Sequence, residues 1–278
     1  MLARASWVAL LCVGCWGASR VQEADVPAET PPLVVTYLAN EGVLLARGDQ
    51  SVVIDAFIEK PYGPYAALSA ATRAKLLAGE APFDGLDLAL TSHAHPDHVQ
   101  PLFARATLEA NAKLALASVP QVTSAVVEGL ADDHELRARV AGFWPEDQKW
   151  LARIDAGFPV SAFRLPHAGN RPTVQNLGQT VDVGGVRVLH VGDGELSAEN
   201  LIPFDLPERE IDVALVPYWW LLDARGATLV RDAIAPRVLI AIHVPPKEAQ
   251  EIAATLAESA PGAIVFDVEL ESVEVAPR

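Results

Sequence analysis

Four side chains that can bind a metal fall within six residues of this chain: His93, His95, Asp97 and His98. They follow an apolar run at residues 86–90 that is typical of a buried strand. Imidazole and carboxylate groups at a strand end lie at the rim of a sheet, where one cation can satisfy several of them. The segment therefore predicts a metal-binding cluster rather than part of the core.

Further side chains of the same kind occur where later strands are predicted to end. They are His167 after residues 160–165, His190 and Asp193 at the close of 186–191, and His243 after 237–242. Strand ends of an open α/β sheet converge on one crevice. We therefore expect these residues to lie close to the first cluster. Together the ligands comprise imidazoles and carboxylates without a thiolate, which suits zinc and would also accept iron or manganese.

The elements that must position these residues follow a repeated order. Three β-favouring runs, at 33–38, 43–47 and 51–55, are separated by Asn40-Glu41-Gly42 and Gly48-Asp49, both typical hairpin turns. Helices are then predicted at 66–78, 102–112 and 120–130, alternating with strands at 87–91 and 114–117.

A second meander with βα units follows residue 160. Its strands are predicted at 160–165, 180–183, 186–191, 212–217 and 237–242, with helices at 224–234 and 246–259 and closing strands near residue 264 and at 271–275. Two sheets with helices outside them accommodate this order, so we predict the α/β class. Residues 131–157 show no clear pattern and are predicted to be either a packed surface excursion or a small cap over the cleft.

The motif His93-Ala94-His95-Pro96-Asp97-His98, followed in order by His167, Asp193 and His243, resembles the ligand set of the metallo-β-lactamase superfamily of binuclear metallohydrolases. The similarity runs from about residue 33 to the end. It implies a four-layered αβ/βα sandwich with two divalent metal ions at one edge between the sheets. It also implies a division of ligands: His93, His95 and His167 on one metal, Asp97, His98 and His243 on the other, and Asp193 bridging them.

The resemblance implies hydrolysis of an ester-like bond. Two cations about 3.5–4 Å apart lower the pKa of a bridging water towards 7 and stabilise negative charge on the attacked group. We therefore expect a metal-bridging hydroxide as nucleophile, with Asp97 both binding metal and orienting it. The match is nearest to the UlaG-like and phospholipase-D-like branches, which act on lactones and phosphodiesters, and the sequence does not choose between them.

Two residues narrow the activity within this superfamily. Asp193 stands where true β-lactamases lack a bridging carboxylate, so antibiotic resistance is not implied. His95 stands where oxygen-reducing diiron relatives commonly have glutamate, which favours hydrolysis. A non-catalytic metal-binding or sensor protein on the same fold, or an iron-dependent dioxygenase, is the alternative.

Several nearby residues have more than one interpretation. His190 is predicted to protonate the leaving group, to fix a ligand carboxylate or, equally, to pair with a backbone carbonyl beneath the site. Asp55 is expected to fix the tautomer of a ligand histidine. Arg171 is either a surface residue or a binder of a substrate phosphate or carboxylate. Tyr218-Trp219-Trp220 would line an apolar pocket or pack in the core, and His134 is expected to face solvent.

Charge and composition limit the partners. The formal net charge of −15 excludes nucleic acid and anionic membrane surfaces as expected partners, because binding a polyanion needs clustered Lys and Arg. We expect a small-molecule or lipid-like ester as substrate.

The first residues predict export. Residues 1–19 combine Arg4, a short apolar run and small residues, as in a signal peptide, and residues 20–32 are predicted to be a flexible tether before a hydrolase domain at 33–278. We expect no transmembrane span after processing. Cys15 lies in a loose lipobox, so the protein is expected to be periplasmic or anchored to the cell envelope by a lipid at this residue.

Overall fold

The first sheet begins with the predicted antiparallel meander and continues with parallel strands. In sheet order its strands are β14 (Ser272–Val275), β1 (Leu33–Ala39), β2 (Gly42–Arg47), β3 (Gln50–Ile54), β4 (Leu88–Thr91), β5 (Ala115–Ser118) and β6 (Val140–Gly142). The computed structural model describes residues 30–278. The predicted signal peptide, Cys15 and most of the predicted tether therefore lie outside the described residues.

The second sheet repeats the same arrangement. Its strands, in sheet order, are β13 (Ile264–Val265), β12 (Val238–Ile242), β11 (Val213–Pro217), β10 (Val186–His190), β9 (Leu177–Val183), β8 (Phe158–Arg164) and β7 (Leu151–Asp155). Strands β7 to β10 pair antiparallel, whereas β10 to β13 pair parallel. The predicted repetition of a meander followed by βα units is confirmed.

Within residues 30–278, six α-helices connect the parallel strands. They are α1 (Ala70–Ala78), α2 (Pro101–Ala110), α3 (Pro120–Val126), α4 (Ala198–Leu201), α5 (Ala224–Ala233) and α6 (Ala249–Ser259). Helix α1 begins four residues later than predicted because Ser69 caps it, accepting a hydrogen bond from the backbone N–H of Thr72 at 3.1 Å. It ends at Gly79, which has a left-handed conformation.

Alternation along the central strands of the second sheet builds two cores. Val188, Leu215 and Ile240 face the first sheet and join the core between the sheets, where β9 packs against β2 and β3. Leu189 and Val216 face the opposite way and pack in a second core with the apolar faces of α5 and α6. The predicted four-layered αβ/βα sandwich is confirmed.

The segment at 131–157, predicted to be a packed surface excursion or a small cap, also contains two sheet strands. It forms β6, the last strand of the first sheet, and β7, the first strand of the second, so it carries the chain from one sheet to the other. Its strands are short and their pattern is weak, because both lie at sheet edges and are only partly buried. Within residues 30–278, no helix is long and apolar enough to cross a bilayer.

Candidate metal centre

The predicted ligands come together at one edge of the sandwich. Strand β4 ends at Thr91 and delivers the 93–98 cluster, while Asp193 and His243 follow the parallel strands β10 and β12. His167 follows β8, and its backbone forms an isolated bridge with Gly194 beside Asp193. The seven residues predicted to bind metal therefore share one site, although they come from both sheets.

One half of the site consists of three imidazole nitrogens and one carboxylate oxygen. Nδ1 of His95 lies 2.9 Å from Nε2 of His93 and 3.1 Å from Nε2 of His167. Oδ2 of Asp193 lies 3.2 Å from Nε2 of His167 and 3.6 Å from Nε2 of His93. Ligands about 2.0–2.1 Å from a tetrahedral zinc lie roughly 3.3 Å from one another. These four atoms therefore have the spacing of a tetrahedral ligand set.

The other half faces the second oxygen of the same aspartate. Oδ1 of Asp193 lies 3.2 Å from Nε2 of His243 and 3.6 Å from Nε2 of His98. Oδ2 of Asp97 completes the group at 3.4 Å from Nε2 of His243 and 4.0 Å from Nε2 of His98. Nε2 of His98, Nε2 of His243 and Oδ1 of Asp193 are buried and have no hydrogen-bond partner. A second cation among them would satisfy all three, so the residues present fit a binuclear centre.

The electrostatics favour the metal-binding protonation states of Asp193 and His93, but not that of His98. Burial alone would lower the pKa of His98, but Glu41 and Asp193 raise it to about 10 in the metal-free protein. Burial alone would raise the pKa of Asp193, but the imidazoles around it, chiefly those of His98 and His167, hold that pKa well below its usual value. Burial lowers the pKa of His93 well below its usual value, and the neighbouring His98 acts in the same direction. An ionised aspartate and a neutral imidazole are the forms that donate electron pairs to a metal.

Hydrogen bonds behind the ligands fix their orientation. Nδ1 of His98 lies 2.9 Å from Oδ2 of Asp55, which places Nε2 towards Asp193. Asp55 also accepts hydrogen bonds from Ser92, from its backbone N–H at 2.7 Å and from its hydroxyl at 2.5 Å. Nδ1 of His167 pairs with the carbonyl of Ala168 at 2.6 Å in the same way. The geometry agrees with the role predicted for Asp55.

The first hairpin turn also reaches the site. Nδ2 of Asn40 donates to the carbonyl of Asp97 at 2.9 Å, and the carbonyl of Asn40 accepts from the backbone N–H of His243 at 3.2 Å. Asn40 and His243 both have positive φ, of 51° and 64°. Asparagine tolerates this region, whereas histidine in it is strained. Asn40 therefore links, by two hydrogen bonds, the loop that carries Asp97 to the loop that carries His243.

Glu41 is a site residue that the sequence interpretation missed. Its side chain is fully buried, neither carboxylate oxygen has a hydrogen-bond partner, and it lies within ligand distance of His98, Asp193 and His243. Burial raises the pKa of Glu41 well above its usual value. The sequence placed Glu41 only in an Asn-Glu-Gly hairpin turn and gave it no role at the site. The buried apolar strands on both sides of the turn were the available signal.

His190 lies beneath the site rather than in its mouth. The side chain is fully buried, Nε2 lies 3.4 Å from the carbonyl of Glu41, and Nδ1 accepts from the backbone N–H of Gly192 at 3.1 Å. The prediction that His190 protonates a leaving group is therefore replaced by its alternative, an imidazole that pairs with a backbone carbonyl. Gly192 has a φ of 54°, and a Cβ there would lie 2.4 Å from Oδ1 of Asn176, so glycine lets the chain turn tightly before Asp193.

A cavity of about 260 Å³ opens above the ligands. Tyr65 and Trp219 line it and contact the ring of His243 edge-on, with centroid distances of 4.0 and 4.9 Å. Trp220 is instead buried in the core and donates to the carbonyl of Gly194 at 2.8 Å. Of the predicted aromatic triplet, Trp219 lines this cavity, whereas Tyr218 and Trp220 do not.

Two further residues named in the sequence analysis, Arg171 and His134, differ in where they lie relative to the site. Arg171 is exposed at the mouth of the cavity, with Nη1 3.4 Å from Nε2 of His95. His134 lies away from the site and is partly buried. Its Nδ1 accepts from the backbone N–H of Leu136 at 3.2 Å at the start of a short 3₁₀ helix. His134 is thus a capping residue rather than a solvent-facing one.

The αβ/βα layering and the His/Asp cluster at the sheet edge define a protein of the metallo-β-lactamase fold. Residues 50–264 match the family described as "Beta-lactamase superfamily domain", and the chain belongs to that family. The resemblance to the superfamily is confirmed, whereas assignment to the UlaG-like branch is not. No curated protein matches this chain by sequence.

Solved structures share the fold at low sequence identity. YhfI from Bacillus subtilis, a metallo-beta-lactamase fold protein, has a TM-score of 0.58 at 16% identity, covering 88% of this chain and 99% of its own. Igni18 from Ignicoccus hospitalis, a metallo hydrolase, has 0.58 at 20% identity, with coverages of 87% and 97%. CmlA from Streptomyces venezuelae, a diiron beta-hydroxylase, has 0.53 at 13% identity, with coverages of 88% and 54%. At such identities the likeness shows the fold alone.

Proposed function

We propose that this protein is an exported, binuclear metal-dependent hydrolase of an ester-like bond: a phosphodiester, a lactone or a carboxylic ester. The observation that carries the proposal is the position of Asp193, whose two oxygens face two separate groups of imidazole nitrogens. A carboxylate so placed is suited to bridge two cations. We expect zinc, with manganese or iron as chemically acceptable alternatives.

In this proposal the ligands divide as their distances suggest. His93, His95 and His167 would hold one ion, Asp97, His98 and His243 would hold the other, and Asp193 would serve both. When bound, two such ions lower the pKa of a water molecule and stabilise negative charge on the attacked group.

Asp97 is the residue best placed to act on that water. It lines the cavity above the ligands, within 3.4 Å of Nε2 of His243. Burial alone would raise the pKa of Asp97, but His243 and His98 beside it lower the pKa below its usual value. As an anion at neutral pH, Asp97 accepts a hydrogen bond from water and orients it towards a substrate. Asp97 takes the proton that the attacking water loses and returns it to the leaving group, or bulk water supplies that proton.

The test combines metal analysis with turnover. Purified protein is loaded with zinc, manganese or iron and assayed on bis(p-nitrophenyl) phosphate, a set of lactones and p-nitrophenyl esters. We expect two metal equivalents and turnover, with at least a hundredfold loss in Asp193→Ala and none in the matched histidine control His134→Ala. Two bound metals without turnover of any ester would indicate a metal-binding or sensor protein instead.

An oxygenase is the second candidate, because the diiron hydroxylase CmlA shares the fold. It predicts iron as the functional metal and oxygen consumption during turnover. His95 argues against it, since this imidazole sits among the ligands where the resemblance would lead us to expect glutamate in an oxygen-reducing relative. Oxygen uptake by iron-loaded protein, with reductant present, separates the two.

Export is proposed from the residue types at 1–19. Fractionation of cells expressing the full chain is expected to place it in the periplasm or the envelope. The variant Cys15→Ser would release it from the envelope only if that cysteine carries a lipid. Retention of the uncleaved chain in the cytoplasm would contradict export.

A further inference from the structure

We propose that Arg171 binds an anionic group of the substrate, so that the natural substrate is a small ester carrying a carboxylate or phosphate beside the bond that is cleaved. This inference rests on the proposed hydrolase function and names its substrate class. Four observations carry it: the position of Arg171, its mismatch with His95, its lack of a carboxylate partner, and the cavity beyond it.

Arg171 lies between two cavities. With His167 it lines both the 260 Å³ cavity over the ligands and a neighbouring cavity of about 380 Å³. A group held by the guanidinium would thus lie next to the metal-binding residues. The rest of the same molecule would extend in the other direction, into the larger cavity.

The side-chain polar contact that Arg171 makes among residues 30–278, with His95, does not satisfy it. Nδ1 of His95 faces the nitrogens of His93 and His167, so Nε2 is the ring atom that points towards Arg171, at 3.4 Å. When Nδ1 donates its electron pair to a metal, the imidazole proton must reside on Nε2. Two N–H donors then face each other and cannot form a hydrogen bond. The guanidinium therefore needs an acceptor from outside the protein.

No carboxylate supplies that acceptor among the described residues, where Arg171 forms no ion pair and no hydrogen bond to an oxygen. Arg164, which lines the larger cavity, is different. Its guanidinium pairs with Asp147 at 2.5 Å and lies over the ring of Trp144 at 4.5 Å. One arginine at this cavity is thus neutralised and held in place, whereas Arg171 is left to bind an anion. Its planar fork suits carboxylate and phosphate oxygens.

The larger cavity fits the rest of such a molecule. Its apolar lining comes from Trp144, Leu165, Pro166, Pro172 and Val174, and its polar lining includes Asn170, Glu195 and the Asp147 that pairs with Arg164. Its volume of about 380 Å³ lies in the range of small-ligand sites. An ester with one anionic group and an apolar body therefore matches the guanidinium of Arg171 and the larger cavity beside it.

The experiment compares matched esters that differ in charge. Zinc-loaded wild type, Arg171→Gln, Arg171→Lys and the surface control Arg231→Gln are assayed on p-nitrophenyl butyrate and on the monoanionic p-nitrophenyl glutarate. We expect the ratio of kcat/KM for the anionic over the neutral ester to fall about ten- to a hundredfold in Arg171→Gln, mainly through KM. It should fall less in Arg171→Lys and not at all in Arg231→Gln.

Binding provides a readout that does not need turnover. Calorimetric titration of the zinc-loaded proteins with glutarate and with inorganic phosphate should show weaker binding to Arg171→Gln, at unchanged metal content, and the stronger of the two identifies the anion. An unchanged ester ratio together with unchanged binding overturns this inference while leaving the hydrolase intact. Absence of turnover on every ester, with anion binding still dependent on Arg171, overturns the hydrolase and keeps the anion site.

Discussion

Oε2 of Glu41 lies 3.4 Å from Nδ1 of His98, and both side chains are fully buried. The same nitrogen already pairs with Asp55 at 2.9 Å, so Glu41 is a second carboxyl group behind one ligand. Two carboxylates beside one buried imidazole would repel each other. The raised pKa of Glu41, caused first by its burial, resolves this because the neutral acid is favoured in the metal-free protein.

We predict that Glu41→Gln will be tolerated and Glu41→Ala will not. Glutamine keeps the shape of the neutral acid, so the metal-free protein should lose less than about 1 kcal/mol in free energy of unfolding. Alanine leaves a cavity next to His98 and should cost about 2–3 kcal/mol. Urea unfolding in the presence of chelator measures both. A large loss in Glu41→Gln would show instead that an ionised Glu41 stabilises the fold.

Asn40→Asp is predicted to weaken the second half of the site. The substitution keeps the size of the side chain and its tolerance of positive φ, but replaces the Nδ2 donor to the Asp97 carbonyl by a carboxylate oxygen. We expect affinity for one of two metal ions to fall about ten- to a hundredfold, as when partners behind metal ligands are lost. Competition with a coloured chelator measures it. The control Asn200→Asp changes another asparagine that donates to a carbonyl, in an exposed position.

Metal removal is predicted to destabilise the protein. Buried atoms such as Oδ1 of Asp193 and Nε2 of His243 have no partner without a cation. At a metal concentration a hundred times Kd, each bound ion should add about 2.7 kcal/mol to the free energy of unfolding.

Chelator should therefore lower Tm and added zinc should restore it. Asp193→Asn should lose most of this response, whereas the exposed Asp133→Asn should keep it. Equal Tm values with and without metal would contradict the proposed centre.

The raised pKa of Tyr37 leads us to predict a loss of folding stability at alkaline pH. Burial, with a smaller effect from Glu269, raises the pKa of Tyr37 above 10, although the backbone N–H of Asn40 donates to the hydroxyl at 3.0 Å and opposes the shift. Because the folded-state pKa is raised, the unfolded chain loses this proton first. The contribution to stability is complete below pH 10 and is lost as pH rises through the folded-state pKa.

Unfolding of Tyr37→Phe should depend less on pH above 10 than that of wild type. The variant should also cost about 1 kcal/mol at neutral pH, since the N–H of Asn40 loses its acceptor. Urea unfolding at pH 8 and pH 11 measures both effects. Parallel losses in the two proteins would assign the alkaline instability to other groups.

Much of the site was predictable from local pattern. The 93–98 cluster follows an apolar strand, and His167, Asp193 and His243 each follow a predicted strand, so converging strand ends were enough to group them. The helix ends were less predictable. Helix α1 begins late because Ser69 caps it, which an apolar pattern across residues 66–78 does not show.

Other residues depended on contacts between distant parts of the chain. Asn40 and Glu41 occupy an ordinary hairpin turn, and their roles arise because that turn packs against the loops of Asp97 and His243. His190 lies only three residues before Asp193, yet its side chain points into the interior while that of Asp193 faces the histidines of the site.

The sequence by itself predicted which residues would bind metal, the α/β class and the repeated order of strands, because ligand type and strand periodicity are local properties. Tertiary structure alone decided that the two oxygens of Asp193 face different groups of imidazoles. It also decided that Glu41 is buried behind His98 and that Arg171 lies between two cavities. Those relationships depend on how two sheets pack against each other, and packing between distant segments leaves no periodic trace in the chain.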